Sequence, residues 1–137
     1  MRMSNANDIL VEKLQSAQDD RERADILNQE AWNIKDRDPR HALSLTLKAR
    51  EFAVKANYQN GVAYSYRNSS ILHFSLSANR QSLQDAQTAL EIFEESNNKN
   101  GLVSVLNAIG GVYSQVGQFD KALEYQHKAL AILEEAG

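Results

Sequence analysis

The feature that most constrains this chain is an internal repeat with a period of 40 residues. When residues 101–137 are placed under residues 61–97 without a gap, seven positions are identical and the apolar pattern agrees along the rest. A further shift of 40 residues aligns Ala49 with Ala89 and Ala129. Because units of such a repeat bury their apolar faces against one another, the period predicts a stack of similar units.

Each unit contains two stretches with apolar residues at helical spacing, separated by a short break. No window alternates apolar and polar residues for long enough to indicate a strand. We therefore predict one all-α domain in which three helix–turn–helix units, residues 21–57, 58–97 and 98–137, follow a leading helix or cap within residues 1–20. The stripes of the third unit are Leu106, Ile109, Gly110, Tyr113 and Val116, then Ala122, Tyr125, Ala129, Leu130 and Leu133.

Residues that begin and end helices lie between these stripes. Asp38 can accept hydrogen bonds from free amides at a helix start, and Pro39 follows where its missing N–H costs nothing. Asn60-Gly61 and Asn100-Gly101 are interpreted as the joints between units. The first unit aligns best if its turn is one residue shorter than the others, which leaves its register uncertain by one position.

Composition excludes several classes of protein. The chain has one proline and no cysteine, which argues against a disulfide framework, a zinc ribbon and a strand-rich fold with many turns. The net charge of −3 argues against general affinity for nucleic acids. No apolar run is long enough to span a membrane, and residues 1–8 lack the pattern of a signal peptide. We therefore expect a cytoplasmic protein that contacts neither nucleic acid nor membrane.

The third unit resembles a tetratricopeptide repeat (TPR). The family pattern has a large apolar residue, Leu-Gly, Tyr, Gly, Tyr, Ala, Ala and Leu at characteristic spacings. The matching residues here are Leu106, Ile109, Gly110, Tyr113, Gly117, Phe119, Ala122, Ala129 and Leu130. The second unit departs from the pattern, with Ser70 for the helix glycine, His73 for the tyrosine and Ser82 for the alanine. The resemblance covers about residues 21–137.

A narrower resemblance concerns the setting of the repeats. The stretch containing Leu27-Asn28, Ala31-Trp32, Asp38-Pro39 and Ala42-Leu43, with Gly61-Val62-Ala63 following, is similar to the N-terminal TPR arrays of bacterial sensor histidine kinases and diguanylate cyclases. This implies the sensory or assembly part of a larger bacterial signalling protein. A freestanding TPR adaptor and a small-molecule sensor remain alternatives, and the latter predicts a closed apolar pocket near Phe74 and His73.

Residue patterns that would indicate catalysis are missing from the sequence. His41, His73 and His127 lie in different units without a second ligand at helical spacing, so no metal site is expected. Gly110-Gly111 lies inside a predicted helix and does not follow a strand, so it is a packing signal and no phosphate loop is expected. We predict that this chain is not an enzyme and needs no cofactor.

The resemblance to TPR proteins implies a right-handed superhelix whose first helices line a concave groove for a protein or peptide partner. Arg and aromatic side chains commonly anchor interfaces, and Asn amides can bond a peptide backbone. Tyr64 and Phe74 could instead pack against neighbouring helices. Ser104 and Ala108 stand where the clamp for chaperone tails needs cations, so that ligand is rejected. The predicted groove residues are Tyr64, Arg67, Asn68, Ile71, Phe74, Ser104, Asn107, Gly111 and Ser114.

The second helix of the third unit has an apolar edge formed by Ala129, Leu130 and Leu133. In the family, the equivalent residues receive the next repeat. Either the chain is a fragment of a longer protein, or a second copy covers the edge. An exposed apolar edge favours self-association, so we expect a homo-oligomer formed through this edge.

Overall fold

The computed structural model describes residues 5–136, which form seven α-helices and contain no strand. This confirms the predicted all-α fold of helical repeats. Residues 1–4 of the predicted leading segment and Gly137 of the third unit lie outside the described part. The helices are α1 (Ala6–Ser16), α2 (Asp20–Ile34), α3 (Pro39–Lys55), α4 (Gln59–Ser75), α5 (Asn79–Ser96), α6 (Lys99–Gln115) and α7 (Phe119–Ala136).

Side-chain caps fix the starts of four helices. Asn5 and Asp8 form a reciprocal capping box at α1, where the Asp8 amide donates to Asn5 Oδ1 at 2.9 Å. Asp19 caps α2 and Asn98 caps α6 by accepting from the amide three residues later. Asp38 caps α3 in the same way, with Pro39 in the first helical position, as the sequence predicted.

The joints between units differ from the sequence interpretation. The chain turns at Asn57 and Asn97, both with φ of +54°, and not at Asn60-Gly61 or Asn100-Gly101. Gly61 and Gly101 lie inside the first turns of α4 and α6. They are needed for close packing, because a Cβ on Gly61 would lie 2.6 Å from the Tyr58 ring. The two glycines therefore mark close contacts, while the asparagines before them make the left-handed turns.

The helices pack as successive pairs, α2 with α3, α4 with α5 and α6 with α7, and each pair also contacts the next. The first helices of the pairs, α2, α4 and α6, lie next to one another. Leu10 of α1 joins the core of the first pair, as expected for a leading helix. No helix within residues 5–136 is both long and apolar enough to cross a membrane.

The turn inside the first unit is one residue shorter than the other two. The Asp38 amide donates to the oxygen of Ile34, four residues back. In the later units the equivalent amides, of Ala78 and Gln118, donate to the oxygens of His73 and Tyr113, five residues back. The first helix of the first unit therefore aligns one position later than a strict period of 40 would place it.

Candidate interaction groove

Two neighbouring clefts lie along the first helices, and Trp32 lines both. The α2–α4 cleft is lined by Asp25, Asn28, Gln29, Trp32, Tyr64 and Arg67. The α4–α6 cleft is lined by Trp32, Ile71, Phe74, Ser82, Ser104, Asn107, Ala108 and Gly111. Together these two clefts are called the groove.

Most groove residues occupy equivalent positions in the three units. With the shorter first turn taken into account, each first helix contributes three residues spaced i, i+3 and i+7, which lie on one face of a helix. The equivalent sets are Asp25, Tyr64 and Ser104; Asn28, Arg67 and Asn107; and Trp32, Ile71 and Gly111. The groove is thus a product of the repeat itself.

Seven of the nine groove residues predicted from sequence line one of the two clefts. Tyr64 and Arg67 line the α2–α4 cleft, and five others line the α4–α6 cleft. Asn68 is 2% exposed and lies behind the groove surface. Ser114 is exposed but lines neither cleft. The five residues on the α4–α6 cleft are Ile71, Phe74, Ser104, Asn107 and Gly111.

Trp32 is the main groove residue that sequence reasoning did not include. A strict period of 40 would place Leu27 and Ala31 at the positions of Arg67 and Ile71. The shift by one residue that the sequence left open places Asn28 and Trp32 there instead. The structure buries Leu27 and Ala31 in the core and leaves Trp32 half-buried in the groove. The short turn after Ile34 was the signal that could have found it.

Arg67 lies between two aromatic rings at the centre of the groove. Its guanidinium carbon is 4.0 Å from the centre of the Trp32 ring and 4.9 Å from that of Tyr64. Nε and Nη2 both donate to Asn68 Oδ1, at 3.2 and 2.8 Å. Burial lowers the pKa of Arg67 to about 10, against a slight rise from Tyr64, so the guanidinium is charged at neutral pH.

A buried pair of asparagines supports Arg67 from behind. Asn68 Nδ2 donates to the backbone oxygen of Asn28 at 3.1 Å, and Asn28 Nδ2 donates to the oxygen of Gly61 at 3.1 Å. The two amides thus connect α2 to α4. Because its nitrogen is held on α2, Asn68 presents its oxygen to Arg67 and holds the guanidinium in place.

The α4–α6 cleft is the more apolar of the two. Ile71 and Phe74 supply its large side chains, while Ala108 and Gly111 leave space on α6. Its volume is about 380 Å³. Apart from its chain neighbours and the backbone of its own helix, a Cβ on Gly111 would meet no atom of the described residues within 4 Å, so the space in front of α6 is open. This cleft has room for an apolar side chain of a ligand.

A sequence model of the tetratricopeptide repeat family matches residues 61–135, which is more than half of the chain. The chain belongs to the tetratricopeptide repeat family. The matched segment contains α5 and α6 and nearly all of α4 and α7, and so covers the second and third helix pairs. No curated protein and no solved structure matched the chain. TPR arrays generally mediate protein–protein interactions, and this defines the general class of function for this array.

Tyr64 has two roles in this TPR array. Its ring packs edge-on against Phe93 of α5 at 4.9 Å, and its hydroxyl accepts from Asn98 Nδ2 at 3.3 Å. It also lines the α2–α4 cleft and contacts Arg67. The packing role considered for Tyr64 from sequence is therefore present together with the groove position.

His73 lies outside both clefts. Its Nε2 is 3.5 Å from Asp85 Oδ2 on α5, and both side chains are mostly buried. Phe74 lines an open cleft, so the closed pocket near Phe74 and His73 that a small-molecule sensor would need is not formed there. Residues 5–136 also contain no group of three or more His, Asp or Glu side chains that could hold a metal ion.

The outer face of α7 carries the predicted self-association edge. Leu130 and Leu133 are 51% and 52% exposed, and Leu123 on the same helix is 51% exposed. Ala129 is instead buried against the rest of the array, at 2% exposure. The edge presented to solvent is therefore formed by Leu123, Leu130 and Leu133, and Ala129 belongs to the core.

Proposed function

We propose that this TPR array binds a peptide or helix of a partner protein in the groove. The observation that supports the proposal best is the set of equivalent residues from α2, α4 and α6 that line two neighbouring clefts. The groove offers an oriented cation, aromatic rings and an open apolar cleft next to one another. These are the features of protein-binding sites in which a few residues provide most of the affinity.

The proposal includes a biological setting. The array is the N-terminal sensory or assembly part of a larger cytoplasmic signalling protein of bacteria, as the resemblance of residues 27–43 implies. A freestanding adaptor is the alternative. The continuation of the reading frame discriminates between them, because an output domain downstream supports the first, and a stop codon directly after Gly137 supports the second.

The outer face of α7 is proposed as a second interaction surface, through which two copies associate. Leu123, Leu130 and Leu133 are each about half exposed on one helix, and a contiguous exposed apolar patch is a candidate contact surface between copies. A stripe of charged residues runs beside these leucines on α7 and includes Glu124, Lys128 and Glu135.

Groove binding is tested by filling the α4–α6 cleft without disturbing the fold. Gly111→Gln places a long side chain in open space, whereas Ala131→Gln adds the same side chain on the charged stripe of α7. Peptides selected on the wild-type array from a random display library should lose at least tenfold in affinity for Gly111→Gln and bind Ala131→Gln as before. Fluorescence anisotropy measures both affinities.

The proposed groove is wrong if the selected peptides bind Gly111→Gln as tightly as the wild-type array. Circular dichroism and thermal melts of both variants establish that they are folded. A library from which no specific peptide emerges would also count against the proposal, since an open groove of this kind should select ligands.

A further inference from the structure

Arg67 is a half-buried cation that has no counterion within residues 5–136. No carboxylate in the described part of the chain lies within 4.0 Å of its guanidinium, and Nη1 has no hydrogen-bond acceptor there. Its other two nitrogens share a single neutral acceptor, Asn68 Oδ1. A charge withdrawn from water is normally paired in a folded protein, so this guanidinium has an unused capacity to bind an anion.

The neighbouring side chains hold the Arg67 guanidinium in the lining of the groove, where it can bind an anion. The rings of Trp32 and Tyr64 contact the guanidinium, and Asn68 holds its inner edge. Lys35 Nζ also lies 4.4 Å from the Trp32 ring, although it is 3.2 Å from Asp36 Oδ2. An arginine already held in this way loses little side-chain entropy when it binds a ligand.

One acidic group limits the kind of anion that fits. Asp25 lines the same cleft, and its Oδ1 accepts from the Tyr58 hydroxyl at 2.8 Å. A neighbouring carboxylate penalises a dianion such as a phosphate more than a single carboxylate. A cleft that holds one guanidinium and one carboxylate therefore favours a monoanion.

The apolar cleft begins at the same tryptophan. Trp32 lines both clefts, so a ligand that binds Arg67 has Ile71, Phe74 and Gly111 within reach. This arrangement places a site for an anion directly beside a site for an apolar side chain.

From this juxtaposition, and resting on the proposed groove function, we infer that the partner segment carries an Asp or Glu side chain that binds Arg67 and a bulky apolar side chain that enters the α4–α6 cleft. The carboxylate is that of a side chain within the segment. Recognition thus requires an acidic residue and a nearby apolar residue, and does not require a free C-terminus.

The test begins with a random peptide library displayed so that the peptide's C-terminus is fused to its carrier. Peptides that bind the wild-type array but not the Gly111→Gln variant should be enriched in an acidic residue close to a Leu, Ile, Phe or Trp. If Gly111→Gln blocks the selected peptides but no acidic residue is enriched, the groove function holds and the acidic recognition is wrong. If Gly111→Gln blocks none of them, the groove function itself is wrong.

The second step is a double-mutant cycle on the best selected peptide, synthesised with an amidated C-terminus. Arg67→Met keeps a long side chain between the rings and removes the charge. We expect the acid-to-amide change in the peptide and Arg67→Met each to weaken binding about tenfold, and the combination to cost little more than either change. Equal effects of Arg67→Met on the acidic and amide peptides would overturn the inference.

Three further measurements on the wild-type array do not depend on the folding of Arg67→Met. Binding of the acidic peptide should weaken as salt is raised, while the amide peptide should respond much less. A phosphoserine in place of the acidic residue should bind no tighter than the acid. A phosphopeptide that binds tenfold tighter, or a peptide that binds only with a free C-terminal carboxylate, would contradict the proposed chemistry.

Discussion

At the scale of single residues, the second unit shows how a repeat can depart from its family pattern without losing its packing. Where the third unit has Gly110 and Ala122, the second has Ser70 and Ser82. Each serine hydroxyl donates to the backbone oxygen of the other residue, Ser70 at 2.8 Å and Ser82 at 2.7 Å. The close approach of α4 and α5 therefore persists, because the buried hydroxyls are bonded.

Tyr58 is the residue for which a pH dependence follows. It lies at the joint between the first two units, where its hydroxyl donates to Asp25 Oδ1 and the Arg21 guanidinium lies 4.2 Å from its ring. Burial, followed by the hydrogen bond to Asp25, raises the pKa of Tyr58 to about 12. The neutral phenol is thus favoured in the folded state.

We predict that Tyr58 contributes stability that is present below about pH 10 and is lost as the pH rises from about 10 to about 12. The reason is that the folded protein holds this proton more tightly than the unfolded chain. The free energy of unfolding of the wild type should therefore fall more steeply in this range than that of Tyr58→Phe. Urea unfolding at several pH values measures the difference.

Tyr58→Phe keeps the ring against Gly61, so the comparison isolates the hydroxyl. A pH titration followed by ultraviolet absorbance should also show, in the variant, one fewer tyrosine that ionises at the high end of the pH range. Parallel pH profiles for the two proteins would contradict the assignment.

At the scale of helices, the first turn of α6 packs very closely against α5 at one residue, Gly101. A Cβ on Gly101 would lie 2.5 Å from the Phe93 ring, which is fully buried between α5 and its neighbours. Gly111 lies nearly three turns further along the same helix. Apart from the chain around it, a Cβ there would have no atom of the described residues within 4 Å. An alanine on α6 would therefore meet a tightly packed ring at position 101 and open space at position 111.

We predict that Gly101→Ala destabilises the array by about 1–3 kcal/mol, because Phe93 must move from its packed position. Gly111→Ala should instead leave the stability unchanged or raise it by up to about 1 kcal/mol, through the better helix propensity of alanine. Chemical unfolding of the two variants and the wild type measures both changes. Equal effects of the two substitutions would show that helix propensity, and not contact with Phe93, decides the outcome.

The arrangement of helix pairs was predictable from the sequence, which left the register of α2 open by one residue. The apolar stripes and the Asp38-Pro39 pair located the helices within a few residues. The interpretation of the asparagine–glycine pairs as joints was wrong, because Gly61 and Gly101 serve packing and the turns precede them. A turn shortened by one residue changes no apolar pattern in the second helix, so the hydrogen bonds of the turn were needed to decide which of the two registers applies and to place Trp32.

At the scale of the whole molecule, the array has two different surfaces. The groove combines a cation, aromatic rings and an apolar cleft, while the outer face of α7 is a stripe of leucines bordered by charges. The two surfaces are formed by different helices, so substitutions can test the proposed partner binding and the proposed self-association separately.

We predict that the array self-associates through α7 and that Leu130→Lys shifts it toward monomer, since a charge in an apolar interface is costly to bury. Ala131→Lys adds the same charge on the stripe that contains Glu124 and Lys128, and should not change the mass. Light scattering over a range of concentrations gives the molar mass. A wild-type protein that stays monomeric at high concentration would rule out this role of α7.

The sequence by itself determined the class of fold, the number of repeat units and most of the groove residues, since helical periodicity and the repeat depend on local spacing. Only the tertiary structure decided that Asn68 is buried, that Trp32 joins the two clefts and that Arg67 has no counterion among residues 5–136. The physical reason is that burial and charge pairing depend on which helices come into contact. Which residues of two helices meet depends in turn on the connecting turns, and one residue more or less in a turn changes the register, as it does between α2 and α3.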